Sequence, residues 1–451
     1  MLIKISVSNF KSFEEETSLS MISSSKTRKN LEHKINLMTS INVLKYGVIY
    51  GANASGKSNL VEIFSFIKYC LINNIPMEAT NLFCKNNKEN INKESLFEIQ
   101  FSIGKKIYAY GFKSILNKRT IESEWLYELH QNGSMAILYE WEKGSKPIIG
   151  DNVSRTANDK LKLDTYMDDF DEYSNSLFLS FMNKGKKYNT DTKLLFFKET
   201  YEWIVNNITV CTPQSSITNL ENYYDEVSLS DITSLIRTFD TGISDIKIEK
   251  TTIEELANEL PKPIFEDIIN ELKKRSEYNN DKTVRISMRG QNSFYNIKVV
   301  NGEEPTITTL QLKHGKSFYG FTFKEESDGT RRLFELIDML LNKTTDKVYV
   351  IDEMERSLHP KLTSHFIDMF NKIHCNDNVQ LVITTHESSI MDQNLFRRDE
   401  IWFVERDKDN RSRLYSLDRF KERYDKKLSK SYLEGRYGAI PVFSNFKFIE
   451  D

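Results

Sequence analysis

Apolar and polar positions alternate over residues 2–7 (LIKISV), the period-two pattern of a strand with one buried face. Residues 46–50 (YGVIY) form a short apolar run that ends at a glycine loop, and beyond the loop Leu60–Ile72 carries apolar residues at helical spacing. The order is strand, loop, helix. Three alternating segments between 97 and 129 (FEIQFSI, KIYAYGF, TIESEWLYEL) predict an antiparallel meander. From about 155 to 285 the pattern turns helical and irregular, broken by polar stretches such as Asn183–Asn189 and ELKKRSEYNN. Strand-like patterning returns at 284–300 and 306–323. A helix at Thr330–Leu341, an apolar strand at 348–352 (VYVID), a helix at about 361–373, a strand at 380–385 (QLVITT) and a strand-like piece at 400–405 (EIWFVE) follow, and the tail from 417 is basic and loop-rich. No heptad run is long enough for a coiled-coil arm, and no internal repeat is visible.

These shifts predict an α/β protein with a mixed sheet, flanking helices, an antiparallel β subdomain and a mainly helical insertion. The expected divisions are an N-terminal lobe over 1–154, a helical insertion over 155–285, a C-terminal lobe over 286–415 and a tail over 416–451. The 451 residues are enough for two or three domains. A net charge of −3 gives no global attraction to nucleic acid, so any such contact would need a local patch. The four cysteines, Cys70, Cys84, Cys211 and Cys375, form no CxxC pair and are expected to be reduced thiols. The opening MLIKISVSNF lacks the apolar core of a signal peptide, and no apolar run approaches the roughly 20 residues of a membrane span. The expected location is the cytoplasm.

The first chemical signal is Gly51-Ala-Asn-Ala-Ser-Gly56-Lys57-Ser58, a GxxxxGK[ST] pattern between a strand and a helix. Glycines let successive backbone N–H groups curl around a β-phosphate, and the following helix presents its positive end. Lys57 would neutralise the β- and γ-phosphates, and Ser58 would offer its hydroxyl to Mg²⁺. Gly51, Ala52, Asn53, Ala54, Ser55, Gly56, Lys57, Ser58 and the following Asn59 are therefore the candidate ATP-binding segment. A chance match in a turn would not carry the flanking strand and helix.

The second signal is the apolar strand ending in Asp352-Glu353. Asp352 is the candidate Mg²⁺ carboxylate and Glu353 the candidate base that polarises the attacking water. Alone, such a strand end reads equally as solvated; paired with the phosphate loop it reads as functional. Lys57 and Asp352 lie nearly 300 residues apart yet must serve one Mg·ATP. A compact GTPase needs no such gap, whereas a split head with a large insertion does.

Ahead of the acidic strand, Glu326-Ser-Asp-Gly-Thr-Arg331 opens a helix. Ser327, Gly329 and the helix N-terminus make an anion site, although an ordinary N-capped helix looks the same in isolation. Its place between phosphate loop and acidic strand favours the anion site. His386 follows the strand QLVITT in Thr384-Thr385-His386-Glu387; a lone histidine is more often structural, but its place after the phosphate loop and the acidic strand makes it a candidate. His359, in Ser357-Leu358-His359-Pro360 just after the acidic strand, is a candidate contact to a partner's site. His33, His130, His314, His365 and His374 read as structural or surface. In Asn9-Phe-Lys-Ser-Phe13, Lys11 and Ser12 are candidate nucleotide contacts; a surface turn anchored by Phe10 and Phe13 is the plainer alternative.

With these motifs in order, the chain resembles the AAA_15 group of ABC/SMC-head-type P-loop ATPases, the RloA/AbiLi-like proteins of prokaryotic anti-phage defence, related to the PARIS sensor ATPase. NFKSF, YGANASGKSN, EESDGTRRLFEL, VIDEMERSLHP, QLVITTHES, RRDEIWFVERD and the terminal Tyr432–Pro441 (YLEGRYGAIP) carry the likeness. The resemblance implies ATP hydrolysis with Mg²⁺ by Lys57, Glu353 and His386, and a signature (Ser327, Gly329) that caps the γ-phosphate held by a second protomer. It also implies a homodimer or higher even oligomer that controls a separately encoded effector, such as an RloB-like or TOPRIM-type nuclease, in abortive infection. The glutamine such heads place near the metal has no clear counterpart here; Gln100, Glu122 and Glu124 are the alternatives.

Two rival readings remain. An SMC/RecF-like DNA-repair head would favour long coiled coils or a basic face; neither is visible, although Arg397, Arg398, Arg423, Lys426, Lys427, Lys430 and Arg436 could form a modest patch. An OLD-type nuclease would add a TOPRIM domain after the head, and only about 45 residues follow the last predicted strand. The expectation is an ATPase without its own nuclease.

Overall fold

The computed structural model describes residues 1–38, 41–151, 153, 156–170, 175–189, 192–213, 223–224, 226–259, 262–278, 283–289, 293–301, 303–342, 345–421 and 427–441. In chain order the N-terminal part holds β1 (Leu2–Ser8), β2 (Thr17–Ser20), β3 (Lys34–Met38), β4 (Ile41–Leu44), β5 (Tyr46–Tyr50), α1 (Lys57–Asn73), β6 (Ser95–Ile103), β7 (Lys106–Ile115), β8 (Thr120–Leu129), β9 (Met135–Glu142) and β10 (Ile148–Ile149). The middle holds α2 (Ala157–Asp169), α3 (Phe178–Asn183), α4 (Leu195–Glu202), β11 (Ile208–Cys211), α5 (Glu226–Arg237), β12 (Ile243–Thr251), α6 (Ile253–Glu259) and α7 (Lys262–Tyr278). Then come β13 (Thr283–Arg289), β14 (Phe294–Val300), β15 (Thr306–His314), α8 (Asp328–Leu341), β16 (Lys347–Ile351), α9 (Pro360–Ile373), β17 (Val379–Thr385), β18 (Ile401–Arg406), β19 (Ser412–Ser416) and α10 (Leu428–Leu433). None of the helices among the described residues is long and apolar enough to cross a membrane.

The chain forms two compact units. The first comprises Met1–Pro213, Thr344–Glu355 and His374–Asp451. Its six-stranded sheet runs in the order β11-β16-β17-β5-β18-β19. The first five strands are parallel and β19 is antiparallel to β18. All of β5 and all of β17 are buried, which is why both read as unbroken apolar runs and not as alternating strands. The second sheet of this unit is antiparallel, ordered β10-β9-β8-β7-β6-β1-β2, and contains the predicted meander. Phe10, Phe66, Phe97 and Phe112 pack in series between this sheet and α1.

The second unit comprises Gln214–Lys343 and Arg356–Ile373. It holds a four-stranded antiparallel sheet, β12-β15-β14-β13. One face of that sheet is covered by Leu256 of α6 and Leu272 of α7, packed on Tyr295, Ile297, Val299 and Ile307.

Several expectations need correction. The stretch read as helical includes two strands: β11 joins the six-stranded sheet and β12 the four-stranded one, because tertiary pairing overrides local propensity. The strand expected to reach residue 323 stops at His314. Glu124 lies buried in β8, where Tyr110, Tyr139 and the N–H groups of Phe178 and Leu179 at the start of α3 donate to its carboxylate. Glu122 pairs with Lys143, and Gln100 donates to Glu98. All three alternatives for the metal-side glutamine are thus engaged within the antiparallel sheet region. Arg397 and Arg398 are only 1% and 4% exposed. Arg397 donates to the Lys29 carbonyl and pairs with Asp399, and Arg398 donates to the Phe420 carbonyl, so neither belongs to a basic surface. Arg423 and Lys426 lie outside the described residues.

Candidate functional site

The strand register brings the first unit's candidate residues to one edge. Ile351 pairs with Ile383, and Ile383 with Val48. Three parallel strands therefore end together, and the segments that follow them, from Gly51, Asp352 and His386, emerge side by side at the carboxyl edge. Open α/β sheets hold their ligands at that edge.

The loop after β5 is held by contacts from far along the chain. Gly56 caps α1 with φ +113°, and a Cβ there would come within 2.4 Å of Ser412 Oγ and 2.7 Å of Ser12 Oγ. Both hydroxyls belong to a small network. Ser412 Oγ lies 2.7 Å from Ser12 Oγ and donates to the Ser55 carbonyl, while Asn59 Nδ2 donates to Ser12 Oγ at 2.7 Å. Ser12 and Asn59 thus brace the loop. Lys11, in a left-handed conformation, pairs with Glu62 on α1. Asn53, Ala54 and Ser58 are exposed at the loop's mouth.

Lys57 is 5% exposed, and its Nζ donates to the carbonyls of Gly51 at 2.8 Å and Ala52 at 3.1 Å. The same nitrogen lies 3.3 Å from His386 Nδ1. Burial lowers the Lys57 ammonium to about 8, against the nearby carboxylates of Glu355, Asp352 and Glu353. Burial, and then the Lys57 charge, hold His386 below the ordinary imidazole range. A neutral imidazole accepting from a charged ammonium through Nδ1 satisfies both shifts.

The acidic turn is zipped to the end of β17. Thr384 Oγ1 donates to Asp352 Oδ1 at 2.5 Å and accepts the Glu353 N–H at 2.9 Å. The Met354 N–H donates to the Thr384 carbonyl at 3.0 Å, and the His386 N–H donates to Glu355 Oε1 at 2.6 Å. Glu353 takes a left-handed conformation, φ +50°, so the chain turns sharply where its carboxylate is presented. Asp352 is buried and Glu353 half-buried. Thr384 and Ser412 were not foreseen. A threonine in an apolar strand and a serine in a polar hairpin carry no pattern of their own.

A cleft of about 870 Å³ opens here, lined by Gly51, Ala52, Asn53, Ser55, His386 and Ser388 together with Glu405, Arg406, Asn410, Tyr432, Leu433, Ile440 and Pro441. The terminal YLEGRYGAIP segment therefore walls the cleft. Its Tyr432 ring packs on Tyr50 (centroids 5.9 Å apart) and Phe403 (5.7 Å). Its hydroxyl donates to the Ala439 carbonyl.

In the second unit Ser327 is the N-cap of α8, its Oγ accepting the Thr330 N–H at 3.1 Å. A Cβ on Gly329 would come within 2.7 Å of the Ser357 carbonyl, so the glycine permits that close approach. His359 is exposed, and its Nδ1 accepts the Lys361 N–H at the start of α9. Of the remaining histidines, His33 is buried against Glu400 and His314 pairs with Glu326.

Three solved SMC heads match nearly the whole chain at low similarity. One, bound to the C-winged helix domain of ScpA, is 14% identical over 92% of this chain and 97% of that one, TM-score 0.38. The head from Thermotoga maritima is 12% identical over 92% and 98%, TM-score 0.35. The Pyrococcus furiosus head, with an extended coiled coil and bound to the C-terminal domain of ScpA, is 13% identical over 97% and 98%, TM-score 0.34. No curated protein gives a match. The AAA_21 family, described as "AAA domain, putative AbiEii toxin, Type IV TA system", matches residues 48–140 and 208–392. The two matched pieces start in β5 and β11, both strands of the six-stranded sheet, and together cover more than half of the chain. A match of that extent shows the family, and the chain belongs to these AAA-domain P-loop ATPases.

Proposed function

We propose that this protein hydrolyses ATP at a site shared by two copies of the chain and uses the nucleotide state to control a separately encoded effector. The observation that carries the reading is the joint register of β5, β16 and β17, which brings the phosphate loop, the acidic turn and His386 to one sheet edge, with Lys57 and His386 in contact. Gly51–Ser58 and Asn59 hold the phosphates, with Lys57 as their fixed cation. Ser12 braces that loop, and Lys11 exchanges its Glu62 partner for the nucleotide. The donor set fits Mg²⁺, which prefers a carboxylate and a hydroxyl together with phosphate oxygens: Asp352 and Ser58 would hold it. Bound there, the ion neutralises charge developing on the β- and γ-phosphate oxygens. Glu353 takes the proton of the attacking water. His386, neutral at Nδ1, donates through Nε2 toward the γ-phosphate. Ser327 and Gly329 of a second copy complete the site, which makes the active form a homodimer.

The effector reading follows the resemblance to RloA/AbiLi-like defence ATPases; the family description, which names a putative AbiEii toxin of a Type IV TA system, supports a toxin–antitoxin setting and no particular effector. The DNA-clamp reading loses Arg397 and Arg398 from its basic patch, since both are buried, while Lys427, Lys430 and Arg436 stay exposed. The test is direct: purified chain should bind Mg·ATP and release phosphate, and the product of the neighbouring reading frame should co-purify with it. Absence of ATP binding would overturn the enzyme; an ATPase that recruits no neighbour but shifts duplex DNA would favour the clamp.

A further inference from the structure

We infer that Glu355 is the positioning residue of His386, a reading that rests on the ATPase proposed above. Its Oε1 takes the main-chain N–H of His386 at 2.6 Å. From there the contacts run in one line: His386 Nδ1 meets Lys57 Nζ at 3.3 Å, and Lys57 holds the Gly51 and Ala52 carbonyls. Glu355 therefore sets the height of His386 above the phosphate loop through the backbone, leaving the imidazole free to face Lys57 and a phosphate.

One observation sets this carboxylate apart from a surface acid. Its second oxygen, Oε2, is buried and has no hydrogen-bond partner among the described residues. A buried acceptor left unpaired costs stability, so it persists where something else depends on the group. Glu355 thus holds the histidine by a hydrogen bond, while Glu353, two residues earlier, is anchored through Thr384. The two glutamates divide the work: Glu353 serves the water and Glu355 the switch loop.

The side-chain oxygen does the positioning, so an amide should replace it and a methyl should not. Glu355→Gln, Glu355→Ala and Glu353→Gln are compared with the parent protein at pH 7, each first shown to unfold cooperatively. Glu355→Ala should lose kcat roughly 10- to 100-fold, the scale of a misplaced catalytic group, with ATP affinity changed far less. Glu355→Gln should recover most of that loss, whereas Glu353→Gln should not recover activity. Hydrogen exchange of the peptide spanning Thr384–Ser389 should rise in Glu355→Ala and stay near the parent rate in Glu355→Gln. A Glu355→Gln chain as inactive as Glu355→Ala would overturn the inference by making the charge, and hence base chemistry, the essential feature. Unchanged exchange in Glu355→Ala would overturn it irrespective of turnover. If the parent protein hydrolyses no ATP, the ATPase reading fails, while the exchange measurement still decides whether Glu355 clamps the loop.

Discussion

Lys57 Nζ and His386 Nδ1 stand 3.3 Å apart, although 328 residues separate them in the chain. The contact exists because β5 and β17 are adjacent and parallel with Tyr50 level with Thr385. The lysine is buried and the histidine neutral, so the site is set for an anion that would recruit the ammonium from its carbonyl partners.

That electrostatic setting gives a pH dependence. The Lys57 ammonium is held near 8, so it is charged at pH 7 and loses its proton as pH rises through that value. Phosphate binding needs the charged form and restores its higher affinity for the proton. ATP affinity should therefore be flat below about pH 7.5 and fall by up to roughly tenfold per unit above pH 8, with proton uptake on binding. Calorimetry in buffers of different ionisation enthalpy measures both. Lys57→Ala should bind ATP roughly 100-fold more weakly or worse and lose the pH dependence.

Binding and turnover should separate at the acidic turn. Glu353→Gln keeps the shape of the turn but removes the base; Mg·ATP binding should persist while kcat falls roughly 10²- to 10⁴-fold. The ATP-bound dimer should then accumulate on size exclusion. Thr384→Val removes both the hydrogen bond to Asp352 and the acceptor for the Glu353 N–H, and should lower kcat with less effect on affinity. Turnover at the parent rate in Glu353→Gln would move the base elsewhere.

The bracing of the phosphate loop predicts a steric effect. Gly56→Ala introduces a Cβ against Ser412 Oγ and Ser12 Oγ at a φ of +113°, a conformation that side chains rarely adopt. The loop should shift and ATP binding should be lost in a titration, with the melting temperature lowered by a few degrees. Ser412→Ala removes the brace without the clash and should give a milder affinity loss.

Shared sites predict complementation. A Lys57→Ala chain lacks the phosphate cation, and a Ser327→Arg chain blocks the helix N-terminus offered to the partner. Mixed under conditions of subunit exchange, they leave one intact site per heterodimer, while neither homodimer has any. Phosphate release by the mixture should exceed that of each variant alone. A monomer hydrolysing ATP at a rate independent of its concentration would sink the shared site.

The sequence by itself was enough to single out Gly51–Ser58, Asp352-Glu353, Ser327 and His386 as candidates, because each sits in a contiguous pattern: a glycine loop between strand and helix, or an apolar run with a polar end. It was also enough for the meander and the helices α8 and α9, whose periodicities are strong. The tertiary structure alone decided the rest. Thr384 and Ser412 act through partners remote in the chain, so no local pattern marks them; Glu355 stands beside Asp352-Glu353 in sequence, where it reads as an alternative base, and only the fold brings it to the His386 N–H. β11 and β12 are strands because parallel and antiparallel neighbours pair with them, against an irregular, helix-like local composition. Arg397 and Arg398 looked like surface charge, since a sequence states charge and not burial; the carbonyls and Asp399 that make their burial tolerable are gathered only by the fold.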